Sequence, residues 1–173
     1  AVITRLVNFQ SSTDGMDHQT QRAATNIIAS LKSTGVVIIN ADDATSRFDL
    51  PHIENPTLTI GSNDDCDIWV EHLKHSVEGQ RFRLHAGTEE AIVFTPIIGH
   101  HHVYHCLQVT ALALLEGYLL PEIAEAISKI DAISGHLERI SRGQDFEVFI
   151  DSANSPITLR NALHSLRQIT AGR

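Results

Sequence analysis

The chain has 173 residues, a length typical of one domain or at most two, and its 42% hydrophobic content is enough for a packed core. Its formal net charge at pH 7 is -8, and no run of lysine and arginine marks a surface for nucleic acid phosphates or anionic lipids. We therefore expect neither nucleic acid nor a membrane as a partner.

The apolar stretches are too short to cross a bilayer. Runs such as "VTALALL" (109–115) fall well below the roughly 20 residues that a spanning helix needs. The start, "AVITRLVNF", lacks the basic and apolar regions of a secretion signal, and Cys66 and Cys106 do not form a disulfide framework. These features favour a reducing cytoplasm.

The first part of the chain alternates strand and helix patterns. Residues 2–8 predict a buried strand, residues 16–32 a helix, and "VVIIN" (36–40) a strand covered on both faces. A polar loop and a short strand at 57–61 follow. This order predicts an α/β fold with a mostly parallel sheet and flanking helices.

Residues 67–97 have a different pattern. Several β-rich runs are separated by "EGQ" and "AGTEE" turns, which is typical of hairpins or an antiparallel meander. We expect a smaller antiparallel β part appended to the α/β sheet.

Two helices and a strand-helix unit follow. "VYHCLQVTALALLE" (103–116) predicts a buried helix ended by Gly117, and Pro121 occupies the first turn of a second helix, "PEIAEAISKI". A strand at 146–150 then leads to a helix beginning near Pro156. Asp151 lies where open α/β sheets place ligand contacts, although an aspartate there is equally a helix cap.

Both ends of the sequence indicate a piece of a larger protein. It opens directly in a strand pattern and closes just after one strand and one helix that have little to pack on. We expect this last unit either to pack on the preceding domain or to associate with a neighbouring molecule.

Four of the 11 histidines lie in "GHHHVYHC" (99–106). A structural or solvated cluster, a residual ligand-binding role and a transition-metal site are all open interpretations. His101 and His105 are four residues apart, on one face of a helix, but the segment has no carboxylate at ligand spacing. We assign no metal ligands to it.

Four segments, in this order, resemble the Mur ligases, and among them the UDP-N-acetylmuramoyl-tripeptide synthetase branch. They are "INADD" (39–43), "SVEGQRFRLH" followed by "TPIIGHHHVYHCLQVTALAL", "SGHLERI" (134–140) and "VFIDSANSP" (148–156). The resemblance implies a central domain of the ATP-binding type over residues 1–140. It further implies that residues 141–173 are the first strand and helix of a Rossmann-like C-terminal domain.

The resemblance also implies an activity. Such ligases use ATP and Mg²⁺ to form an acyl phosphate on a UDP-muramoyl-peptide, and an amino acid then attacks it, in the synthesis of peptidoglycan precursors. A nucleotide and a UDP-muramoyl-peptide are the implied partners. The sequence contains no G-x-x-x-x-G-K-[ST] phosphate loop, so we expect no complete catalytic site and assign no catalytic residue.

Several positions match nucleotide contacts of the family. Asn40, Asp42 and Asp43 either contact the nucleotide or form an Asx-rich turn after a strand. Asp151 either binds a hydroxyl or a cation, or serves as a turn residue. By family position the nucleotide-binding residues are Asn40, Asp42, Asp43, His102, His136, Asp151 and Asn154.

Polar positions of the family are replaced in this chain. His136 stands at an arginine, and His102 and His105 stand at two asparagines. Phe9 and Gln10 replace an Asp-His pair, and residues 23–25 hold no lysine at the place of the family's carbamylated one. A second hypothesis is therefore a degenerate, non-catalytic homologue that acts in binding or scaffolding.

Overall fold

The computed structural model of the protein describes residues 2–3, 26–42 and 53–170. Residues 26–29 are helical, within the range predicted as a helix. The other helices are α1 (His100–Leu115), α2 (Leu120–Ser128) and α3 (Pro156–Ile169). The strands are β1 (Val2–Ile3), β2 (Val37–Asn40), β3 (Thr57–Gly61), β4 (Ile68–Ser76), β5 (Gly79–Ala86), β6 (Glu89–Thr95), β7 (Glu138–Ile140) and β8 (Val148–Ile150).

Strands β1 to β6 form one sheet in chain order. The pairs from β1 to β4 are parallel, and those from β4 to β6 are antiparallel. The predicted α/β fold, with a parallel sheet and a smaller antiparallel part, is confirmed. The antiparallel strands continue the main sheet, because β4 pairs with a parallel neighbour on one side and an antiparallel one on the other.

Strand β2 is covered on both faces, as its apolar sequence predicts. Ile38 belongs to the main core, which also contains residues of α1 and α2. Val37 packs on the opposite face with Ile28 of the helical residues before it. Successive strand residues point to opposite faces, so a continuous apolar run is needed to bury both.

The link between the parallel and antiparallel parts is short. Strands β3 and β4 pair only at Ile60 with Ile68 and at Gly61 with Trp69. Beside this pairing, the Asp67 carboxylate accepts from the Thr59 backbone N–H and hydroxyl, both at 2.7 Å. The Asp67 N–H donates back to the Thr59 hydroxyl at 3.0 Å. These three bonds hold the two strands in register where the ladder is shortest.

Helices α1 and α2 occupy the predicted places with shifted starts. Helix α1 begins at His100, three residues before the predicted start, and Gly117 follows its end with a φ of 91°. A glycine adopts this left-handed conformation without steric cost. Pro121 lies in the first turn of α2, as predicted. Neither these helices nor the other described ones are long and apolar enough to span a membrane.

The segment from residue 134 to residue 170, here called the C-terminal segment, contains one strand that the sequence did not predict. Strand β7 pairs antiparallel with β8 in a separate two-stranded sheet, across the predicted division at residues 140 and 141. That division stays a prediction. Helix α3 is capped by Ser155, whose hydroxyl accepts from the Thr158 N–H at 3.2 Å. Asp151 therefore does not cap α3, although a helix cap was one of the two roles that the sequence allowed for it.

The C-terminal segment packs on the preceding domain. Ile98 of the loop before α1, Leu137 of the turn before β7 and Ala162 of α3 form one buried cluster. Phe149 and Leu166 pack around it. Of the two expected arrangements, packing on the domain is the one in this structure.

The core predicts a large stability difference between two phenylalanines on opposite faces of the sheet. Phe82 is fully buried in the main core, whereas Phe94 is 44% exposed on the outer face of β6. Phe82→Ala removes a packed ring, and we expect it to lower the free energy of unfolding by about 3–5 kcal/mol. Phe94→Ala is the matched control, expected to cost about 1 kcal/mol or less. Urea denaturation measures both, and equal losses would contradict this core assignment.

Candidate functional site

A cleft of about 720 Å³ lies between the central sheet and the C-terminal segment. Its walls are the end of β2, one face of α1, the turn before β7, the end of β8 and helix α3. This volume is in the usual range for small-molecule sites. The lining residues are Asn40, Asp42, His100, His101, Tyr104, His105, Gln108, His136, Asp151, Ser152, Ala153, Asn154, Thr158, Asn161, Ala162, His164 and Ser165.

Most of the residues predicted to bind nucleotide meet in this cleft. Asn40, Asp42, His136, Asp151 and Asn154 line it, although they are spread from the end of β2 to the start of α3. His102 is buried instead and does not line the cleft. Asp43 lies outside the described residues, as do Phe9, Gln10 and residues 23–25.

Asp42 joins three elements at one wall of the cleft. Its carboxylate accepts from the Ser62 N–H at 2.6 Å after β3 and from the Tyr104 hydroxyl at 2.8 Å on α1. Its own N–H donates to the Asn40 side chain at 3.1 Å. The Asx-type turn that the sequence allowed is therefore present. In the described residues Asp42 orders the cleft wall by linking β2, β3 and α1.

Asp151 fixes the opposite wall. Its carboxylate accepts from the Leu137 N–H at 3.0 Å, and the Ser152 N–H donates to the Gly135 carbonyl at 2.7 Å. Leu137 has a φ of 48°, a left-handed conformation that is strained for a residue with a branched side chain. The hydrogen bond and the burial of the Leu137 side chain stabilise this turn, which carries His136 into the cleft.

The start of α1 is positioned by a buried glutamine. The Gln80 side chain on β5 donates to the carbonyls of Ile97 at 3.0 Å and Gly99 at 3.2 Å. Gly99 has a φ of 109°, and a Cβ there would lie 2.6 Å from the His101 ring. A side chain at this position would disturb the first turn of α1. Gln80 and Gly99 thus determine where the histidines begin.

His102 faces the core. It is 5% exposed, and its Nε2 lies 3.4 Å from the Thr95 hydroxyl and 3.6 Å from the Cys106 Sγ. Burial, followed by repulsion from His105, His101 and His136, lowers the pKa of His102 to about 4. This imidazole is therefore neutral at pH 7 and serves as a packed polar side chain.

Histidines that the sequence did not assign to the site form much of the cleft wall. His100, His101, His105 and His164 line it beside the predicted His136. The ring centroids of His101 and His105 are 6.1 Å apart, which agrees with their spacing on one helix face. The four-residue spacing of His101 and His105 already indicated that both lie on one face of the helix. His164 carried no such signal, because only the packing of α3 brings it to the cleft.

A second group of rings extends from the cleft toward β4. The His100 ring is 5.2 Å from that of His72, which is 5.1 Å from that of His75. Burial, then His100 and His75, lower the pKa of His72 to about 4. Within the described residues, no group of three histidine, cysteine or carboxylate side chains is arranged to hold a metal ion.

The contacts of Asp42 predict a measurable structural role. In Asp42→Ala the Ser62 N–H and the Tyr104 hydroxyl lose their acceptor, so we expect the free energy of unfolding to fall by about 1–2 kcal/mol. Tyr104→Phe removes only one of these bonds and should cost about half as much. Chemical denaturation of both variants tests this; an unchanged stability in Asp42→Ala would refute the role.

The burial of His102 predicts acid sensitivity. Its folded-state pKa lies below the ordinary value of 6.5, so the unfolded chain binds more protons and stability falls as the pH drops from about 6.5 toward 4. Between pH 7 and pH 4.5 the free energy of unfolding should decrease in both proteins, and we expect the decrease to be about 2–3 kcal/mol smaller in His102→Asn than in the parent protein. His164→Asn, on an exposed side chain, is the control and should keep the parental loss. Denaturation at the two pH values decides, and identical losses in all three proteins would exclude this explanation.

Curated relatives of this chain carry the names of ligases. The UDP-N-acetylmuramoyl-L-alanyl-D-glutamate--2,6-diaminopimelate ligase of Geobacillus kaustophilus is 31% identical over 132 residues, which are 76% of this chain and 27% of that protein. The ligase of the same name from Bacillus licheniformis is 32% identical over 136 residues, which are 79% of this chain and 28% of that protein. The chain thus spans about a quarter of the length of these curated relatives.

Solved structures share the fold. A UDP-N-acetylmuramoylalanyl-D-glutamyl-2,6-diaminopimelate--D-alanyl-D-alanyl ligase from Acinetobacter baumannii superposes with a TM-score of 0.79 and 20% identity, covering 98% of this chain and 37% of that chain. The MurF ligase from Thermotoga maritima, in complex with ADP, gives a TM-score of 0.72 and 12% identity, covering 86% and 34%. The family model of the Mur ligase middle domain matches residues 16–113, more than half of the sequence. With this match and this fold, the chain belongs to the Mur ligase family.

Proposed function

We propose that this chain forms part of the nucleotide-binding centre of an ATP-dependent ligase, which adds an amino acid to a UDP-N-acetylmuramoyl-peptide in peptidoglycan precursor synthesis. The observation that carries the proposal is the cleft, where Asn40, His136, Asp151 and Asn154 converge from distant parts of the sequence. These are the positions at which the family's motifs predict nucleotide contacts. The names of the relatives and the ADP complex of one solved neighbour support the same class of ligand.

The cleft has the size and the polar groups for a nucleoside. About 720 Å³ is sufficient for a base and ribose, and amide and hydroxyl groups for their hydrogen bonds come from Asn40, Asn154, Ser152 and Asn161. When ATP is bound, it supplies the phosphoryl group that activates a carboxylate for attack by an amine. The residues of this chain orient the nucleotide, and Asp42 and Asp151 keep the two walls in place.

The described residues do not fit Mg²⁺, because none of them form a group of three or more histidine, cysteine or carboxylate side chains that could hold an ion. This ion prefers hard oxygen ligands in octahedral geometry. Two carboxylates line the cleft, and each already accepts hydrogen bonds from the protein, Asp42 from Ser62 and Tyr104, and Asp151 from Leu137. We therefore assign the ion no ligand in this part of the chain.

We further propose the cytoplasm as the compartment, where thiols such as Cys66 and Cys106 stay reduced. The division into a central domain over residues 1–140 and the beginning of the C-terminal domain over residues 141–173 is also part of the proposal. So is self-association through the C-terminal segment, whose helix α3 exposes Leu159 and Leu163.

A non-catalytic binding or scaffolding homologue is the second candidate, and one observation favours it. No lysine or arginine is among the described residues that line the cleft. Phosphoryl transfer requires cationic groups at the phosphates, and the described lining of the cleft supplies none. On this interpretation the cleft keeps its shape and holds a ligand without turning it over.

A ligation assay separates the two candidates. The polypeptide encoded by the complete reading frame is incubated with ATP, Mg²⁺, UDP-N-acetylmuramoyl-L-alanyl-D-glutamate and diaminopimelate, and the amide product is measured by mass spectrometry beside phosphate release. We expect product and phosphate in equal amounts. Phosphate release no higher than in the control without enzyme, together with retained nucleotide binding, would favour the non-catalytic homologue.

A pair of variants links the activity to the cleft. Asn154→Ala removes a polar group from the cleft wall, and we expect kcat/KM for ATP to fall roughly tenfold, which corresponds to the loss of one good hydrogen bond. Thr88→Ala, in the exposed turn between β5 and β6, is the matched control and should be unchanged. Equal activity of the two variants would place the nucleotide elsewhere.

A further inference from the structure

We propose that the cleft binds phosphate-bearing ligands with uptake of protons by its histidines, so that affinity for phosphate groups rises as the pH falls from 8 to 6. This inference rests on the proposed function for its choice of ligand. It goes beyond that function in assigning a titratable source of positive charge to a site whose described lining holds no lysine or arginine.

Among the described residues that line the cleft, the imidazoles are the groups that can carry a positive charge. Five histidines line it, and its described lining contains no lysine or arginine. Three of them belong to the first two turns of α1, one lies on the turn before β7 and one on α3. A ligand in the cleft therefore meets imidazoles from three separate elements. These residues are His100, His101, His105, His136 and His164.

Without a ligand, protonation of the α1 histidines is unfavourable. Partial burial is the first cause of a lowered pKa in His100, His101 and His105. Repulsion from other imidazoles adds to it, from His75 on β4 for His100 and from His136 for His105. The positive end of the helix dipole also disfavours a positive charge here, and no acidic residue in the first turn of α1 offsets it.

The carboxylates that face these histidines offset the effect only in part. Asp42 favours the charged form of His100, and Asp151 favours that of His101. Each is already engaged, Asp42 by Ser62 and Tyr104, and Asp151 by Leu137. In the described part of the chain, the cleft histidines form no ion pair with either carboxylate, so a bound anion would be an additional partner for them.

A bound phosphate reverses this balance. A negative charge within about 4–6 Å of an imidazole favours its charged form, so the pKa of each contacting histidine is higher in the complex than in the free protein. Affinity is then gained as the pH falls through the raised pKa of the complex, and it becomes constant below the pKa of the free protein. His136 stands at a position where the family has a permanently charged arginine, and it lines the cleft beside the α1 histidines.

Calorimetry on the 173-residue chain tests the inference with three probes, which are ADP, inorganic pyrophosphate and adenosine. We expect ADP and pyrophosphate to bind about tenfold more tightly at pH 6 than at pH 8, as an average uptake of about half a proton over these two pH units requires, and adenosine to differ less than about twofold. The terminal phosphate of ADP loses charge near pH 6, which opposes this trend, so a gain in affinity must come from the protein. Histidine Cε1–H resonances, titrated with and without ADP, should show raised pKa values in the complex.

Two variants identify the groups. His136→Arg supplies a permanent charge, so it should tighten ADP binding at pH 8 and reduce the ratio between the two pH values. His85→Asn is the matched control, because His85 stacks on Trp69 with ring centroids 3.8 Å apart and does not line the cleft. It should keep the parental ratio.

The outcomes distinguish the inference from the proposed function. ADP that binds equally at both pH values, or adenosine that varies as much as ADP, would overturn the inference and leave the nucleotide site in place. Binding of pyrophosphate that strengthens at pH 6, without binding of ADP or adenosine at either pH, would support the inference and count against the nucleotide site. A chain that binds none of the three probes overturns both.

Discussion

The cleft depends on one apolar contact, the packing of Leu137 against Ile98 and Ala162. This cluster ties the loop before α1, the turn before β7 and helix α3 together, and so holds the C-terminal segment on the central sheet. Leu137 reaches it from a left-handed backbone conformation that the Asp151 carboxylate stabilises through a 3.0 Å hydrogen bond. Burial of a leucine side chain is worth about 1.5–3 kcal/mol, enough to offset such local strain.

The electrostatics of the site follow from that geometry. The C-terminal segment places His136 near His101 and His105, so that its imidazole disfavours a charge on theirs. Among the described residues that line the cleft, no lysine or arginine supplies a fixed cation of the kind that phosphoryl transfer requires, and five histidines stand there instead.

Particular elements show how far the sequence predicts this structure. The strand at β2 and the helices α1, α2 and α3 follow from apolar periodicity and from Pro121, Gly117 and Pro156. Strand β7 was missed, because three residues are too few for an alternating pattern and its pairing with β8 depends on a turn held by Asp151. The early start of α1 was missed too, since the Gln80 side chain that positions Gly99 lies on another strand.

The amino-acid sequence by itself determined the order of the described elements except β7, the α/β class and the family, because these depend on local periodicity and on motifs read along the chain. The tertiary structure alone decided which histidines serve the cleft. Consecutive residues on a helix point about 100° apart, so His101 and His102 must face different surroundings, and only the packing of α1 settles which of them is buried. The packing of α1 places His102 in the core and His101 in the cleft wall.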